Sequence, residues 1–97
     1  MLNKYESIYI VKPDVEEQGI KELIEKFNTL IETAGGKVSE VQEWGLKRLA
    51  YPIQKKEQGY YVLVNFEANP ESIVELERVY KITVSVMKCI TVRKDEE

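Results

Sequence analysis

Histidine is absent from all 97 residues, and cysteine occurs once, at Cys89. A chain without histidine and with one thiol cannot assemble the common zinc sites or an intramolecular disulfide. The same absence removes the side chain that most often serves as general acid or base near neutral pH. An enzyme built here would need a carboxylate or lysine mechanism, and the carboxylates are spaced as a solvated helix face. No enzymatic activity, metal or cofactor is therefore expected. Long apolar runs are also missing. Lys4, Glu6 and Lys12 interrupt the amino-terminal stretch before it reaches signal-peptide length, and no segment approaches a membrane span. With the lone thiol read as a small core residue in a reducing compartment, a soluble cytoplasmic protein is expected. Basic charge is in deficit as well, 14 Lys and Arg against 17 Asp and Glu. Taken alone, that argues against nucleic-acid binding, whose affinity rests largely on phosphate neutralisation.

The distribution of charge reverses that impression. Asp14, Glu16, Glu17, Glu22, Glu25 and Glu32 fall along one helical stretch. From Trp44 to Lys56 the chain carries Lys47, Arg48, Lys55 and Lys56 with no acid, and from Arg78 to Lys94 it carries Arg78, Lys81, Lys88, Arg93 and Lys94, again with no acid. One acidic side and one basic side are expected.

The length allows one small domain, taken as residues 1–94, with 95–97 a short acidic tail. Lys4 to Lys12 alternates as a strand and stops at Pro13. Asp14, with Glu17 three residues on, reads as a capping box opening a helix whose stripe is Ile20, Leu23, Ile24, Phe27, Leu30, Ile31 and Ala34. Gly35-Gly36 ends it. Val38 to Ile53 is a long strand bulged near Gly45, Gln54 to Gln58 a loop, and Gly59 to Glu67 the next strand. Asn69-Pro70 starts a second helix buried through Ile73, Leu76, Val79 and Tyr80, and Val84 to Arg93 is the last strand. The sum is an α+β, ferredoxin-like βαββαβ sandwich: an antiparallel sheet in order 4-1-3-2 with two helices on one face. Pro52, which has no N–H to give a ladder, belongs on the edge strand that this order makes of the second.

Alternation then sorts the sheet's two faces. Tyr60, Val62, Val64 and Phe66 point to the helices with Tyr5, Tyr9 and Val11. Ile8, Ile10, Tyr61 and Leu63 are left as an apolar patch on the bare face, the expected protein-partner surface. The last strand does not sort, because both of its alternating sets are mixed. Lys47 and Arg48, beside Trp44 and Tyr51, together with Lys4, Lys55, Lys56, Lys88, Arg93 and Lys94, suit phosphate contacts without base readout. Arg48 also offers a rigid fork for phosphate or carboxylate.

Two families sharing this element order match less well. Acylphosphatases have a Gly-rich phosphate cradle and an arginine after the first strand, with no counterpart in Lys12-Pro13-Asp14-Val15-Glu16. RNA-recognition motifs stack bases on strands one and three. Gln58-Gly59-Tyr60-Tyr61-Val62-Leu63-Val64-Asn65-Phe66 misses their signature: Gln58 stands for the basic residue, Tyr61 for the small one and Asn65 for the final aromatic.

The run Gly45-Leu46-Lys47-Arg48-Leu49-Ala50-Tyr51-Pro52-Ile53 resembles the second strand of the family of the sixth protein of the bacterial small ribosomal subunit. Tyr5-Glu6 with Ile8-Tyr9-Ile10-Val11-Lys12-Pro13, Gln58-Gly59-Tyr60-Tyr61-Val62 and Arg78-Val79-Tyr80-Lys81-Ile82 resemble its first strand, third strand and second helix. The resemblance implies a structural protein of the small ribosomal subunit. It implies a chain that is monomeric when isolated and pairs with the eighteenth small-subunit protein to bind the central domain of 16S rRNA. It also implies Tyr5, Lys47, Arg48, Lys88 and Arg93 as RNA- or partner-facing residues. Lys81 and Lys88 stand where relatives often carry arginine, and the tail is shorter than the acidic tails that some relatives extend with glutamate. A stand-alone RNA-recognition module and a ligand-binding ferredoxin-like domain remain the alternatives.

Overall fold

The computed structural model describes residues 2–53 and 56–94, and at 50–53 the backbone alone. Its elements run β1 (Asn3–Val11), α1 (Glu17–Thr33), β2 (Lys37–Ile53), β3 (Lys56–Ala68), α2 (Pro70–Ile82) and β4 (Val86–Arg93). The antiparallel strands lie in the order β2-β3-β1-β4, the expected order read from the other edge. β2 is thus an edge strand. Its register against β3 shifts between Arg48 and Ile53, the interval that contains Pro52.

Packing against the helices follows the alternation. Tyr5, Ser7, Tyr9 and Val11 of β1 and Val62, Val64 and Phe66 of β3 are buried with Ile20, Phe27 and Ile31 of α1 and Leu76, Val79 and Tyr80 of α2. At the centre, Phe27 meets Tyr80 at 4.6 Å and Tyr9 at 5.0 Å, both edge-on, an arrangement that adds attraction beyond area burial. The buried Ser7 hydroxyl donates to the Tyr80 hydroxyl at 3.0 Å and lies 3.1 Å from Thr91 Oγ1, and among the described residues every buried side-chain nitrogen and oxygen has a partner.

Three element starts and one cap differ from the sequence reading. α1 begins at Glu17, not at Asp14, because Pro13 to Val15 form a turn in which the Val15 amide donates to the Lys12 carbonyl at 3.2 Å. Asp14 therefore caps nothing; its carboxylate lies 3.9 Å from Lys56 Nζ. Asn69 does sit at the cap of α2 with Pro70 following, yet its side chain makes no capping bond. β3 starts at Lys56 because the hairpin keeps pairing, Ile53 against Lys56, where a loop was expected; of that loop, Gln54 and Lys55 fall outside the described residues. β4 starts at Val86, after a turn closed by the Val86 amide on the Thr83 carbonyl.

The mixed pattern of β4 has a cause. Ile10 pairs with Lys88 and Val11 with Val86, so Met87 is an extra residue in a β-bulge. The bulge exchanges the faces partway along the strand. Cys89, Thr91 and Arg93 then share the helix side, and Lys88, Ile90 and Val92 share the open side.

A candidate RNA and partner interface

The open face is built in rows across the sheet. Tyr61, Ile10 and Lys88 form one row; Leu63, Ile8 and Ile90 the next; Asn65, Glu6 and Val92 the third; Glu67 and Lys4 the fourth. β2 adds Gln42 opposite Leu63 and Glu40 opposite Asn65. The face is therefore graded, aromatic and basic at one end, aliphatic in the middle, and acidic with interspersed lysines at the other.

Two members of the expected exposed patch are not exposed. Ile10 is 8% and Leu63 6% accessible. The parity was right, since Ile8 pairs with Leu63 and Ile10 with Tyr61, but the face is not bare. Ile10 belongs to a second small core with Leu49 of β2 and the bulged Met87, against which Tyr61 packs half-buried. The far end of the β2–β3 hairpin folds close enough that a methyl at Gly59 would overlap Ile10 and press on Met87 at 3.0 Å. What remains accessible is Ile90 at 52%, Val92 at 45% and Trp44 at 41%. Sequence reasoning missed Ile90 and Val92 because the bulge that turns them outward has no signature in β4.

Trp44 owes its position to backbone geometry. Glu43 pairs with Val62 and Gly45 with Tyr61, so Trp44 is the extra residue of another bulge. Gly45 sits at φ 85°, a conformation other residues adopt only with strain. The indole stacks on Tyr61, ring centroids 6.3 Å apart and planes 15° from parallel, and its N–H donates to Gln42 Oε1 at 3.1 Å.

The predicted basic residues do not form one surface. Lys47 pairs with Gly59 on the open side, while Arg48 pairs with Gln58 on the helix side. Consecutive residues of a strand face opposite ways, so this pair is divided between the two sides of the β2 edge. Both are exposed. Lys4 and Lys94 fall at the acidic end, where Lys94 Nζ lies 3.9 Å from Glu6 Oε2. Arg93 is on the helix side and donates to Asn3 Oδ1 at 3.3 Å. Lys56 is paired with Asp14 as described above. Tyr5 is not available to a partner: it is buried under the helices, stacked on Phe66 at 5.8 Å. The Tyr51 side chain and the whole of Lys55 lie outside the described residues, as does the 95–97 tail.

Among the described residues, the thiol and the tyrosine hydroxyls that burial shifts lie on the helix side, away from this surface. Cys89, half-buried on the helix side, has its thiol pushed up first by burial and then by Glu77, against the opposing pull of Lys81, so it is a weaker nucleophile than an ordinary cysteine. Burial likewise holds the Tyr9 and Tyr80 hydroxyls well above the usual tyrosine range. Among the described residues no cluster of three or more acids or thiols could hold a metal ion.

Comparison with known proteins supplies the family context. The family model described as ribosomal protein S6 matches residues 4–93. The small ribosomal subunit proteins bS6 of Caldanaerobacter subterraneus subsp. tengcongensis and of Clostridium novyi are each 47% identical over 95 residues, spanning 98% of this chain and the whole of the relative. The crystal structure of 30S ribosomal protein S6 from Thermotoga maritima superposes with a TM-score of 0.92 at 30% identity, covering 97% of this chain and 89% of that one.

Proposed function

The chain belongs to the ribosomal protein S6 family, and we propose that, as a structural protein of the small ribosomal subunit, it binds the central domain of 16S rRNA as a heterodimer with the eighteenth small-subunit protein. The isolated chain is then a monomer that completes its surface on assembly. The observation that carries this reading is the graded open face, where accessible Ile90, Val92 and Trp44 share one side of the sheet with Lys47 and Lys88. Accessible aliphatics on a sheet face fit a protein contact, and peripheral lysines fit phosphates. A protein with net charge −3 has little affinity for RNA to spare, so a basic partner on the same RNA supplies what it lacks.

The test is a gel shift on a central-domain 16S rRNA fragment, with this protein alone and with the partner protein added. Binding that needs both supports the heterodimer. Equally tight binding alone favours a self-sufficient RNA module, and no binding in either case returns the ligand-binding alternative. Salt sharpens the assignment of Arg48. If it meets a phosphate, Arg48→Ala lowers the slope of log affinity against log salt by about 0.9. An unchanged slope with weaker heterodimer formation moves Arg48 to the protein contact.

A further inference from the structure

We propose that the Trp44–Tyr61 stack is a platform for an unpaired nucleobase of the bound RNA, with Lys47 beside it for the adjoining phosphate. This rests on the RNA-binding reading above and adds to it a place and a mode of contact.

The geometry is that of an unfinished stack. Two rings lie 15° from parallel, and the outer one, the largest side chain in the protein, is left 41% accessible at the rim of the sheet. The bond from the indole N–H to Gln42 and the left-handed Gly45 of the bulge hold the outer ring in place, so little order remains to be imposed when a third ring arrives. Nucleobases stack on such rings whatever their sequence, and each stacked base contributes about 1–3 kcal/mol.

The surrounding charge favours a nucleotide over the other planar group that stacks on indole, an arginine of a protein partner. Lys47 is on the same side one step along β2, and among the described residues no ion pair holds it; Lys88 closes the row through Tyr61 and Ile10. These charges attract phosphate and repel guanidinium. Glu6 and Glu40 sit two rows down the sheet, Glu67 three, and Glu57 out along the hairpin. The arrangement is not that of an RNA-recognition motif. The aromatics come from β2 and β3, and a bulge brings them together.

Trp44 is the single tryptophan, so its emission reports on this site alone. At low salt, a short oligoadenylate is expected to quench it, and an abasic oligomer of the same charge is not. Trp44→Leu, which keeps an apolar cover without a π face, is expected to retain the native circular dichroism and melting profile. Its heterodimer should bind the central-domain fragment about tenfold more weakly, while Trp44→Phe stays within about threefold of the parent. Equal quenching by the abasic oligomer, or full affinity in Trp44→Leu, overturns the platform. If the parent heterodimer binds the fragment and Trp44→Leu does so equally well, the platform fails and the rRNA reading stands. If the parent heterodimer does not bind, both fail. Quenching by an arginine-rich peptide without any response to oligoadenylate gives the stack to a protein partner and overturns the proposal.

Discussion

The two faces of the sheet are made from alternating residues of the same strands, yet they are closed in different ways. On one, α1 and α2 cover Tyr9, Val11, Val62, Val64 and Phe66 completely, and an aromatic triad fills the centre. On the other, the protein covers itself only in part: Leu49, Met87 and Ile10 make a small second core at one end, and Ile90, Val92 and Trp44 stay accessible. The helix face is specified by the chain's own helices and carries the fold. The open face is specified by β-bulges at Trp44 and Met87, which re-aim side chains at the two edges without adding any covering element. A family whose members work inside an assembly has reason to leave one face for others to finish.

The comparison breaks most visibly if the helix face can lose its centre. Phe27→Ala removes the ring that touches both Tyr9 and Tyr80, and a loss of about 3–5 kcal/mol is expected, much of the stability of a small domain. Chemical denaturation measures it. A loss below about 1 kcal/mol would mean that the triad is not where the folding energy is concentrated.

Leu63→Glu is next, and it tests whether the open face is bare. The alternating pattern alone places Leu63 on that face and so suggests a substitution harmless to folding. At 6% accessibility, a carboxylate there loses the leucine's packing and gains a desolvation cost, and a loss of about 2–3 kcal/mol is expected. Native stability with weakened partner binding would show that the middle of this face is open after all.

Alkali gives a third probe, directed at the helix face alone. Tyr9 and Tyr80 are held above the ordinary tyrosine range, chiefly by burial, so the folded state keeps two protons that the unfolded state releases. Their stabilising effect is full below about pH 10, where unfolded tyrosine ionises, and falls as pH rises beyond it, by up to about 1.4 kcal/mol per pH unit for each ring. Unfolding that coincides with the late part of the tyrosinate absorbance rise is the expected result. Ionisation of every tyrosine while the fold persists would contradict the burial.

What could be read from the sequence follows from how local each signal is. The α1 stripe, the Asn69-Pro70 start and the alternation in β1 and β3 are periodicities or dipeptides that a short window contains, and they gave the topology and the inward set. The opposite facing of Lys47 and Arg48 was equally available from strand alternation, but their adjacency in sequence suggested a joint patch. Met87 as a bulge, Leu49 folded over Gly59, and Trp44 stacked on Tyr61 were not available. Each depends on strand register, across the β2–β3 hairpin for Leu49 and Trp44 and between the distant β1 and β4 for Met87. The resemblance supplied the family, and it pointed to Tyr5 as a contact residue, where the pattern of the strand itself put that ring among the core residues.

The smallest expected effect on folding belongs to Ile90→Glu, and it is the one that most sharpens the contrast between the faces. Ile90 shares a row with Leu63 and Ile8, yet it lies on the edge strand at 52% accessibility. A charge there stays solvated, and a stability change within about 0.5 kcal/mol is expected. In the heterodimer the same side chain would be pressed against the partner, where an unpaired carboxylate is costly, so partner binding should weaken by tenfold or more, about 1.4 kcal/mol. The pair Leu63→Glu and Ile90→Glu then separates what this face does for the chain from what it does for the assembly: one row, two positions apart, the first failing in the unfolding curve and the second only when the partner is present. If Ile90→Glu left the heterodimer unchanged, the accessible aliphatics of β4 would not be the protein contact, and that contact would have to be sought at the β2 edge.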